Sequence, residues 1–405
     1  MKQDQIQAGM GNQGYTVRGF KASSVPAGLK KGEREDLALI FSEMDADAAG
    51  VFTTNRVKAA PVVVSREHLR NGKARAILAN SGNANACTGE SGKEAARRMA
   101  ELAAKAVGVK PEEVLVASTG VIGAPLDTGR IESAMPRLAQ SLSKEGLPAA
   151  ARAIMTTDSF EKMSRFEGSA GHAAYRIVGI AKGAGMIMPH MATMLCFVLT
   201  DVAPIGLDLN AILAASVDKT LNRITVDGDM STNDTVFLLA NGAAGNTILD
   251  DGDREIFALG VESVLEALAR MIVRDGEGAT KLVHVMIKGA RTAADALNAA
   301  RTVANSCLVK TAFYGQDPNW GRIMAALGRS GIVMQERSVD IWVDDVEIVS
   351  SGLGKGPDVE RRAADHMKEE EFRVTVDLHQ GDYEDRMMTC DLTHDYVSIN
   401  ADYRT

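Results

Sequence analysis

The chain has 405 residues, enough for two or three domains, and its 45% of apolar residues provide material for a large buried core. The net charge of −8 argues against a nucleic-acid-binding protein, because binding a phosphate backbone needs a basic surface. The four cysteines are far apart, the N-terminus lacks an apolar signal segment, and no run of about 18 apolar residues occurs, so we expect a reduced, cytoplasmic protein that does not span a membrane.

The first half of the chain alternates predicted strands with helices. Short apolar runs of the kind found in buried strands occur at residues 59–64, 76–79, 114–117, 175–181 and 193–199. The last run is nearly continuous, which is typical of a strand buried on both faces. Residues 91–107 have helical spacing, Ser91 and Glu94 match a capping box at the start of this helix, and Gly108 occupies the position of a C-cap glycine. The alternation predicts an α/β fold.

The second half of the chain begins with helical spacing and ends with strands. Helices are predicted at residues 207–221, 261–273 and 291–304, and strands at residues 282–289, 339–343 and 372–378. The last two strands alternate apolar with polar residues, which indicates antiparallel strands exposed on one face. We therefore predict a large domain at residues 1–280 and a smaller α+β domain at residues 281–405. A short β-like run, residues 396–399, precedes the polar end of the chain.

The candidate chemistry has to work without a histidine-based triad. The sequence contains no GxSxG, HExxH or phosphate-loop motif, and its seven histidines are scattered. If the Thr193 hydroxyl attacks the carbonyl of Ala192, an N-to-O acyl shift followed by hydrolysis releases Thr193 as a new N-terminus. Its free α-amine, with a pKa of about 8, is then a general base for its own hydroxyl. By pattern alone, however, the glycine-rich segment before Thr193 is typical of a simple turn.

Three polar segments are further candidates. Thr119 and Gly120 in STGVIG would supply a hydroxyl and an amide to an oxyanion hole, although the same residues suit a turn. Residues 80–89, NSGNANACTG, fit either an Asx-rich turn or a binding loop. Residues 227–234, DGDMSTND, lack EF-hand spacing, so we exclude calcium and expect a tight loop near the site.

Ten segments taken in order resemble one family, glutamate N-acetyltransferase (ornithine acetyltransferase) of arginine biosynthesis. They extend from about residue 19 to residue 405. The segments are DLALI, AGVFTTNRVKAAPV, LANSGNANACTG, STGVIG, TTD, KGAGMIMPHMATML, NRITVDGDMSTNDT, VRDGEGATK, YGQDPNWGRI and DYVSINADYRT. Ten ordered segments are far more specific than any one of them.

The resemblance implies a self-cleaving enzyme with a layered α/β/β/α-like core. Cleavage between Ala192 and Thr193 would give chains of residues 1–192 and 193–405 that stay associated, with Thr193 as the nucleophile. Thr119 and Gly120 take the oxyanion-hole positions. The large domain is then catalytic, and the C-terminal tail completes its pocket. The resemblance assigns substrate binding to Thr156 (with Thr157 as the alternative), Lys182, Thr193, Glu277, Asn400 and Thr405.

The reaction implied is a ping-pong transfer of acetyl from N2-acetylornithine to glutamate through acetyl-Thr193. Lys182 is a natural partner for a substrate carboxylate and Glu277 for an ammonium group. We expect no metal or cofactor, and two chains of each kind in a heterotetramer. The sequence leaves open whether acetyl-CoA is also a donor, in a bifunctional enzyme. One departure is His190, where the family usually has Asn.

Two other functions are compatible with this sequence. A self-processing aminopeptidase or amidohydrolase of the related fold would pass its acyl group to water instead of to glutamate. A non-catalytic amino-acid-binding protein would remain a single intact chain and bind ornithine without turnover.

Overall fold

The computed structural model describes residues 12–188 and 194–402 of the chain. Within these ranges the strands are β1 (Phe20–Val25), β2 (Leu37–Ser42), β3 (Asp47–Phe52), β4 (Ala76–Asn83), β5 (Val114–Val121), β6 (Lys162–Ala170), β7 (Ala173–Lys182), β8 (Leu195–Thr200), β9 (Thr235–Ala240), β10 (Leu282–Ala290), β11 (Asp340–Val343), β12 (Val346–Ser350), β13 (Leu353–Gly354), β14 (Glu371–Asp377) and β15 (Tyr383–Cys390).

The α-helices of the same ranges are α1 (Ala60–His68), α2 (Gly89–Val107), α3 (Thr128–Gln140), α4 (Leu147–Ala153), α5 (Leu209–Lys219), α6 (Asp251–Arg274), α7 (Ala293–Ala304), α8 (Cys307–Tyr314), α9 (Trp320–Gly328), α10 (Pro357–His366) and α11 (His394–Ala401). None of these helices is long and apolar enough to cross a membrane.

The chain divides into two compact units that interleave along the sequence. The first unit takes residues 1–183, 190–222 and 230–272, and the second takes residues 184–189, 223–229 and 273–405, in each case as far as the structure describes them. The domain boundary expected between residues 280 and 281 stays a prediction.

The first unit contains two sheets that pack face to face. One sheet has the strand order β1-β2-β4-β5 and the other the order β3-β9-β8-β7-β6. Their inner faces share one apolar core, to which Ile77 and Leu115 contribute from the first sheet and Phe197 and Phe237 from the second. The two phenylalanine rings stack with their centroids 5.7 Å apart. Burial of these inner faces supplies most of the drive for sheet packing.

Helices cover the outer faces of both sheets. Met99 of α2 and Ile131 of α3 are buried in a second core with residues of the first sheet such as Leu78. Against the second sheet, the Phe257 ring of α6 lies 6.0 Å from the ring of Tyr175 in β7. The order of layers is therefore helix, sheet, sheet, helix, which confirms the predicted α/β/β/α core. All six residues of β8 are buried, as predicted for a strand covered on both faces.

The second unit is a single six-stranded sheet covered by helices. Its strand order is β13-β12-β11-β14-β10-β15. Helix α7 packs on β10 and β15, and Val303 and Phe313 join the core of this unit. Phe372, Val374 and Val376 are buried on alternating positions of β14, which confirms the half-exposed strand. The pairs are antiparallel except β10 with β14, which is parallel.

The predicted strand at residues 59–64 is wrong, because this segment begins helix α1. Its valine run has strand propensity, but Pro61 stands in the first helical turn, where its fixed φ and missing N–H are tolerated. Val62 and Val64 are both buried against neighbouring elements. Tertiary packing has outweighed the local propensity of the β-branched residues.

Two further local predictions need correction. Helix α2 begins at Gly89, so Ser91 lies inside it, and its hydroxyl donates to Thr88 O instead of forming a capping box. Residues 396–399 belong to α11 and are not β-like, because Thr393 caps that helix by accepting from Tyr396 N. The C-cap glycine is confirmed, since Gly108 has a left-handed φ of 74°.

We expect Thr292→Ala to lower the free energy of unfolding by about 1 kcal/mol, because Thr292 is the N-cap of α7 and its hydroxyl accepts from Asp295 N at 3.1 Å. The matched control is Thr302→Ala, since the Thr302 hydroxyl donates only within the same helix, to Asn298 O. Urea unfolding measures both. Equal stability of the two variants would contradict the capping role.

Candidate functional site

One edge of the second sheet collects the ends of three neighbouring strands. Leu195, at the start of β8, pairs with Thr235 at the start of β9 and with Lys182 at the end of β7. The predicted nucleophile Thr193, the residues Ala192 and His190 before it, and the tail residue Thr405 lie outside the described residues. Met194, which directly follows Thr193, is buried at this edge.

Asp234 fixes the start of β8. Its Oδ1 accepts a hydrogen bond from Met194 N at 3.0 Å, and Met194 O accepts from Thr235 N at 3.1 Å. The side chain is fully buried, and this burial raises the pKa of Asp234 well above its usual range, although the Met194 amide and the Lys182 ammonium act in the opposite direction. Sequence analysis included Asp234 only as a member of the tight loop expected near the site and gave this residue no role of its own.

A second buried carboxylate, Asp158, brings together two of the predicted substrate-binding residues. Its Oδ2 accepts from Thr156 N at 3.0 Å and lies 3.9 Å from Lys182 Nζ. Its Oδ1 accepts from Lys162 Nζ at 2.8 Å and from Gly183 N at 2.6 Å. Burial alone would raise the pKa of Asp158, but Lys182 and Lys162 outweigh it and hold the pKa well below its usual range. The choice between Thr156 and Thr157 as substrate contact stays a prediction.

Lys30 is a third group that sequence analysis missed. Its ammonium donates to Met155 O at 2.6 Å, directly before Thr156. The pKa of Lys30 is lowered to about 8, mainly by burial and also by the nearby Lys182, although Asp36 and Asp158 act in the opposite direction. Lys30 therefore fixes the backbone that carries Thr156. It sits in a charged loop, and nothing in the sequence distinguishes it from its neighbours.

The predicted oxyanion residues Thr119 and Gly120 lie at the end of β5, beside β4. Gly120 has a φ of +131°, and a Cβ at this position would lie 2.4 Å from the carbonyl carbon of Gly82. Because the opposing atoms are backbone, no side-chain movement would relieve this contact, and only glycine fits. Thr119 is buried beside it. Their role in binding an oxyanion stays a prediction.

The loop before β9 attaches to this strand end. Asn233 donates through its side-chain amide to Ser118 O at 2.8 Å and to Ala84 O at 2.6 Å. Asp234, the next residue, holds Met194 N. Two adjacent residues therefore connect β5 with the start of β8. All these groups belong to the first unit.

The asparagine-rich segment at residues 80–89 contains the end of β4, up to Asn83, and an Asx-type turn that leads from this strand to α2. Asn80 Oδ1 accepts from the Ser118 hydroxyl at 2.6 Å, and Asn83 Oδ1 accepts from Asn85 N at 2.7 Å. The Asn83 amide donates to two backbone oxygens of the loop after β5, those of Ala124 and Pro125. These side chains support the end of β5, which favours the turn over the binding loop.

The second unit contains the other predicted substrate-binding residues that the structure describes. Asn400 Nδ2 donates to Glu277 Oε2 at 2.8 Å, and Glu277 N donates to Ala184 O at 2.9 Å. A Cβ at Gly185 would lie 2.4 Å from the Glu277 carboxylate, so this segment passes close to it. The structure therefore brings Glu277 and Asn400 together.

The same unit holds Asp227 beneath this segment. Its carboxylate accepts from Met186 N at 2.6 Å and Ile187 N at 2.9 Å, and from the Tyr396 hydroxyl at 3.4 Å. Burial raises the pKa of Asp227 above its usual range despite these amide donors. Met186 has a left-handed φ of 57°, which is unusual for a non-glycine residue, and Asp227 stabilises it. Among the described residues no cluster of His, Cys, Asp and Glu is suited to hold a metal.

We expect Gly120→Ala to destabilise the protein by more than about 2 kcal/mol, because the left-handed φ and the backbone contact act together. Gly123→Ala is the matched control: Gly123 also has a positive φ of +86°, but a Cβ there would meet nothing within 4 Å. The control should cost about 1 kcal/mol. Chemical unfolding measures the free energy of unfolding of both variants. If Gly120→Ala lost less of it than Gly123→Ala, the backbone contact with Gly82 would not restrict residue 120.

Asp158→Asn should cost about 3–5 kcal/mol at pH 7, since it leaves two buried ammonium groups without this carboxylate. The folded-state pKa of Asp158 is depressed, so its contribution is complete above the unfolded pKa of about 3.9 and is lost as the pH falls through the folded pKa. The difference in the free energy of unfolding between the wild type and Asp158→Asn should therefore be constant down to about pH 4 and become smaller below it.

The control for this substitution is Glu161→Gln, which removes a surface pair with Arg152 at 3.6 Å and should cost less than about 1 kcal/mol. Thermal unfolding between pH 3 and pH 8 provides the comparison. If the stability difference between the wild type and Asp158→Asn were the same at every pH, the claim that Asp158 is ionised in the folded protein would be wrong.

Comparison with known proteins identifies the family. A model described as the ArgJ family matches residues 21–405. The arginine biosynthesis bifunctional protein ArgJ of Geobacter sulfurreducens is 53% identical over 391 residues, which cover 96% of this chain and 100% of that protein. The glutamate N-acetyltransferase of Methanocaldococcus jannaschii is 47% identical over 400 residues, covering 96% and 97%.

A solved structure is similar over part of the chain. The crystal structure of the ArgJ protein from Bacillus halodurans is 41% identical and covers 51% of this chain and 98% of its own, with a TM-score of 0.49. The family model and the full-length relatives extend over nearly the whole chain, which confirms the resemblance found in the sequence: this chain belongs to the ArgJ family.

Proposed function

We propose that this protein transfers the acetyl group of N2-acetylornithine to glutamate through an acetyl ester on Thr193, giving ornithine and N-acetylglutamate. Membership of a family whose relatives are named for arginine biosynthesis and glutamate N-acetylation supports the reaction. One structural observation carries the assignment of the site. Asn233 and Asp234, side by side, attach the end of β5 with Thr119 and Gly120 to the residue that follows Thr193.

The transfer proceeds in two balanced steps. The α-amine of the freed Thr193 takes the hydroxyl proton, and Oγ attacks the acetyl carbonyl of N2-acetylornithine. The Thr119 hydroxyl and the Gly120 amide donate to the developing oxyanion, where loss of one such donor typically costs about 10²–10³ in rate. Ornithine leaves with the proton, and the α-amine of glutamate then takes the acetyl group from the ester and restores the hydroxyl.

The substrate anchors follow from charge. Lys182 presents an ammonium group to the α-carboxylate that both substrates carry, and Thr156 lies beside it on the same carboxylate, Asp158. Glu277, oriented by Asn400, provides a negative partner for a substrate ammonium. Thr405 would complete the pocket from the end of the chain. Since both substrates share an amino-acid end, one set of anchors serves both half-reactions.

We also infer that the cleaved chains stay together. Cleavage between residues 192 and 193 leaves β7 in one chain and β8 in the other, yet these strands pair over six residues. On the far side β9 pairs with β3 of the first chain over another six. We propose a heterotetramer of two chains of each kind that works in the cytoplasm without metal or cofactor. Acetyl-CoA would enter only as a second acetyl donor.

Thr193→Ala should abolish both self-cleavage and acetyl transfer, because the variant lacks the attacking hydroxyl. Thr193→Ser is the control and should retain part of both. Denaturing mass spectrometry reports cleavage through fragments of residues 1–192 and 193–405. Incubation with N2-acetylornithine and glutamate distinguishes the reactions, since transfer yields N-acetylglutamate and hydrolysis yields acetate. A cleaved, active Thr193→Ala protein would refute the mechanism, and replacing the donor by acetyl-CoA tests bifunctionality.

A further inference from the structure

The segment that carries Thr156 depends on side chains for its geometry. Residues 154–161, all of which the structure describes, connect the end of α4 with the start of β6 and belong to no helix or strand. The backbone groups of such a segment have to find partners outside the regular hydrogen-bond ladders. The side chains that bind residues 154–161 therefore determine where Thr156 lies.

One peptide group of this segment is held at both ends. The carbonyl oxygen of Met155 accepts from Lys30 Nζ at 2.6 Å, and the following nitrogen, Thr156 N, donates to Asp158 Oδ2 at 3.0 Å. The oxygen and the nitrogen belong to the same planar peptide unit, so one bond at each end fixes the orientation of the plane. Both partners are ionisable groups, and hydrogen bonds to charged groups are stronger than those between neutral groups. Lys30 therefore helps to set the direction of the chain at Thr156.

The Lys30 side chain is itself held in one position. Its ammonium also donates to Glu35 O and Ala153 O, each at 3.4 Å. Its backbone nitrogen donates to Asp36 Oδ2 at 2.9 Å. Its stem passes close to Gly82, because a Cβ at Gly82 would lie 3.0 Å from Lys30 Cγ. The ammonium is thus fixed from both ends of the side chain without any contribution from a substrate.

The same side chain lies near the predicted oxyanion residues. Gly82 of β4 pairs with Gly120 of β5. The stem of Lys30 therefore passes over the strand that supports Gly120, while its ammonium reaches the segment of Thr156. One residue contacts the surroundings of two groups that the proposed reaction uses.

Packing alone does not account for a cation at this position. An apolar side chain of similar length would fill the same space without the cost of removing an ammonium group from water. The pKa of Lys30, which is lowered to about 8 mainly by burial, shows that this cost is present. A partly buried cation whose hydrogen bonds go to backbone carbonyls is suited to orienting the backbone.

We propose that Lys30 is a positioning residue for substrate binding, which holds the Met155–Thr156 peptide so that Thr156 can bind the amino-acid end shared by both substrates. Lys30 touches no substrate in this scheme and takes part in no bond-making step. The inference rests on the proposed function, because it needs Thr156 or the adjacent Thr157 as a substrate contact. Without the ammonium the peptide is free to turn about its remaining bond to Asp158, and both substrates bind more weakly.

The test is Lys30→Met in the full-length protein, with initial rates of N-acetylglutamate formation. We expect the KM values for N2-acetylornithine and for glutamate both to rise about tenfold, because a hydrogen bond from a charged group contributes about this factor. The kcat should change by less than about threefold, since the lost contact acts on binding more than on the transition state. Intact mass gives the cleaved fraction of each variant, to which kcat is normalised.

Two further variants separate positioning from charge and from stability. Lys30→Arg should recover part of the lost affinity, because a guanidinium keeps the charge and the donors. Arg34→Met is the matched control: it removes a positive charge from an exposed position of the same loop and should leave both KM values unchanged. Hydrogen exchange of residues 153–158 should be faster in Lys30→Met than in Arg34→Met. If Lys30→Met does not fold, Lys30→Gln takes its place.

Wild-type KM values in Lys30→Met would overturn the inference. A lower kcat with unchanged KM values would do so too, because a merely structural role reduces only the active fraction. Either result leaves the proposed function standing as long as the wild type makes N-acetylglutamate from these substrates. If the wild type makes none, the proposed function fails, and calorimetric titration with ornithine then decides about Lys30: weaker binding to Lys30→Met than to the wild type supports its role, and equal or absent binding ends it.

Discussion

Two adjacent side chains, Asn233 and Asp234, tie together the parts of the first unit on which the proposed chemistry depends. The Asn233 amide binds backbone oxygens at the end of β5 and beyond β4, while the Asp234 carboxylate binds the amide that begins β8. These contacts are possible because the two sheets pack face to face and because β8 and β9 run parallel, so that both strands begin at one edge. The sheet packing thus determines which residues can meet the nucleophile.

The buried charges of this edge form the second constraint. Burying a lysine side chain is costly unless it has a partner, and the Asp158 carboxylate is such a partner for both Lys162, at 2.8 Å, and Lys182, at 3.9 Å. The same carboxylate binds Thr156 N, so a substrate would meet groups whose orientation is already set. Asp234 lies under the opposite influence, because burial dominates there. Two carboxylates of one unit therefore differ in protonation behaviour through their surroundings alone.

Ordered segments in the sequence were enough to identify the family. Periodicity located fewer than half of the described elements, namely β4, β5, β7, β8, β10, β11 and β14 among the strands and α2, α5, α6 and α7 among the helices. Periodicity gave the wrong element at α1, where a run of valines with strand propensity forms a helix after Pro61. It was also wrong at α11, because four residues are too few to define a period. The importance of Asp158, Lys30 and Asp234 was not predictable, because each acts through residues that only tertiary packing brings near. Lys30, for example, contacts a backbone oxygen 125 residues away.

The position of β8 between β7 and β9 has a consequence for how the enzyme arises. Before cleavage, every partner of β8 belongs to the same polypeptide, and folding is a unimolecular process. After the proposed cleavage, β8 and β9 would stay in one chain, but the ladders of β7 with β8 and of β3 with β9 would join two separate molecules. A denatured mature enzyme would have to reassemble by collision, at a rate that depends on concentration, with exposed strand edges open to aggregation in the meantime. The persistence of the cleaved enzyme would then depend on how slowly it unfolds and not on a reversible equilibrium with the unfolded chains. Synthesis as a single precursor allows the chain to fold before it is divided.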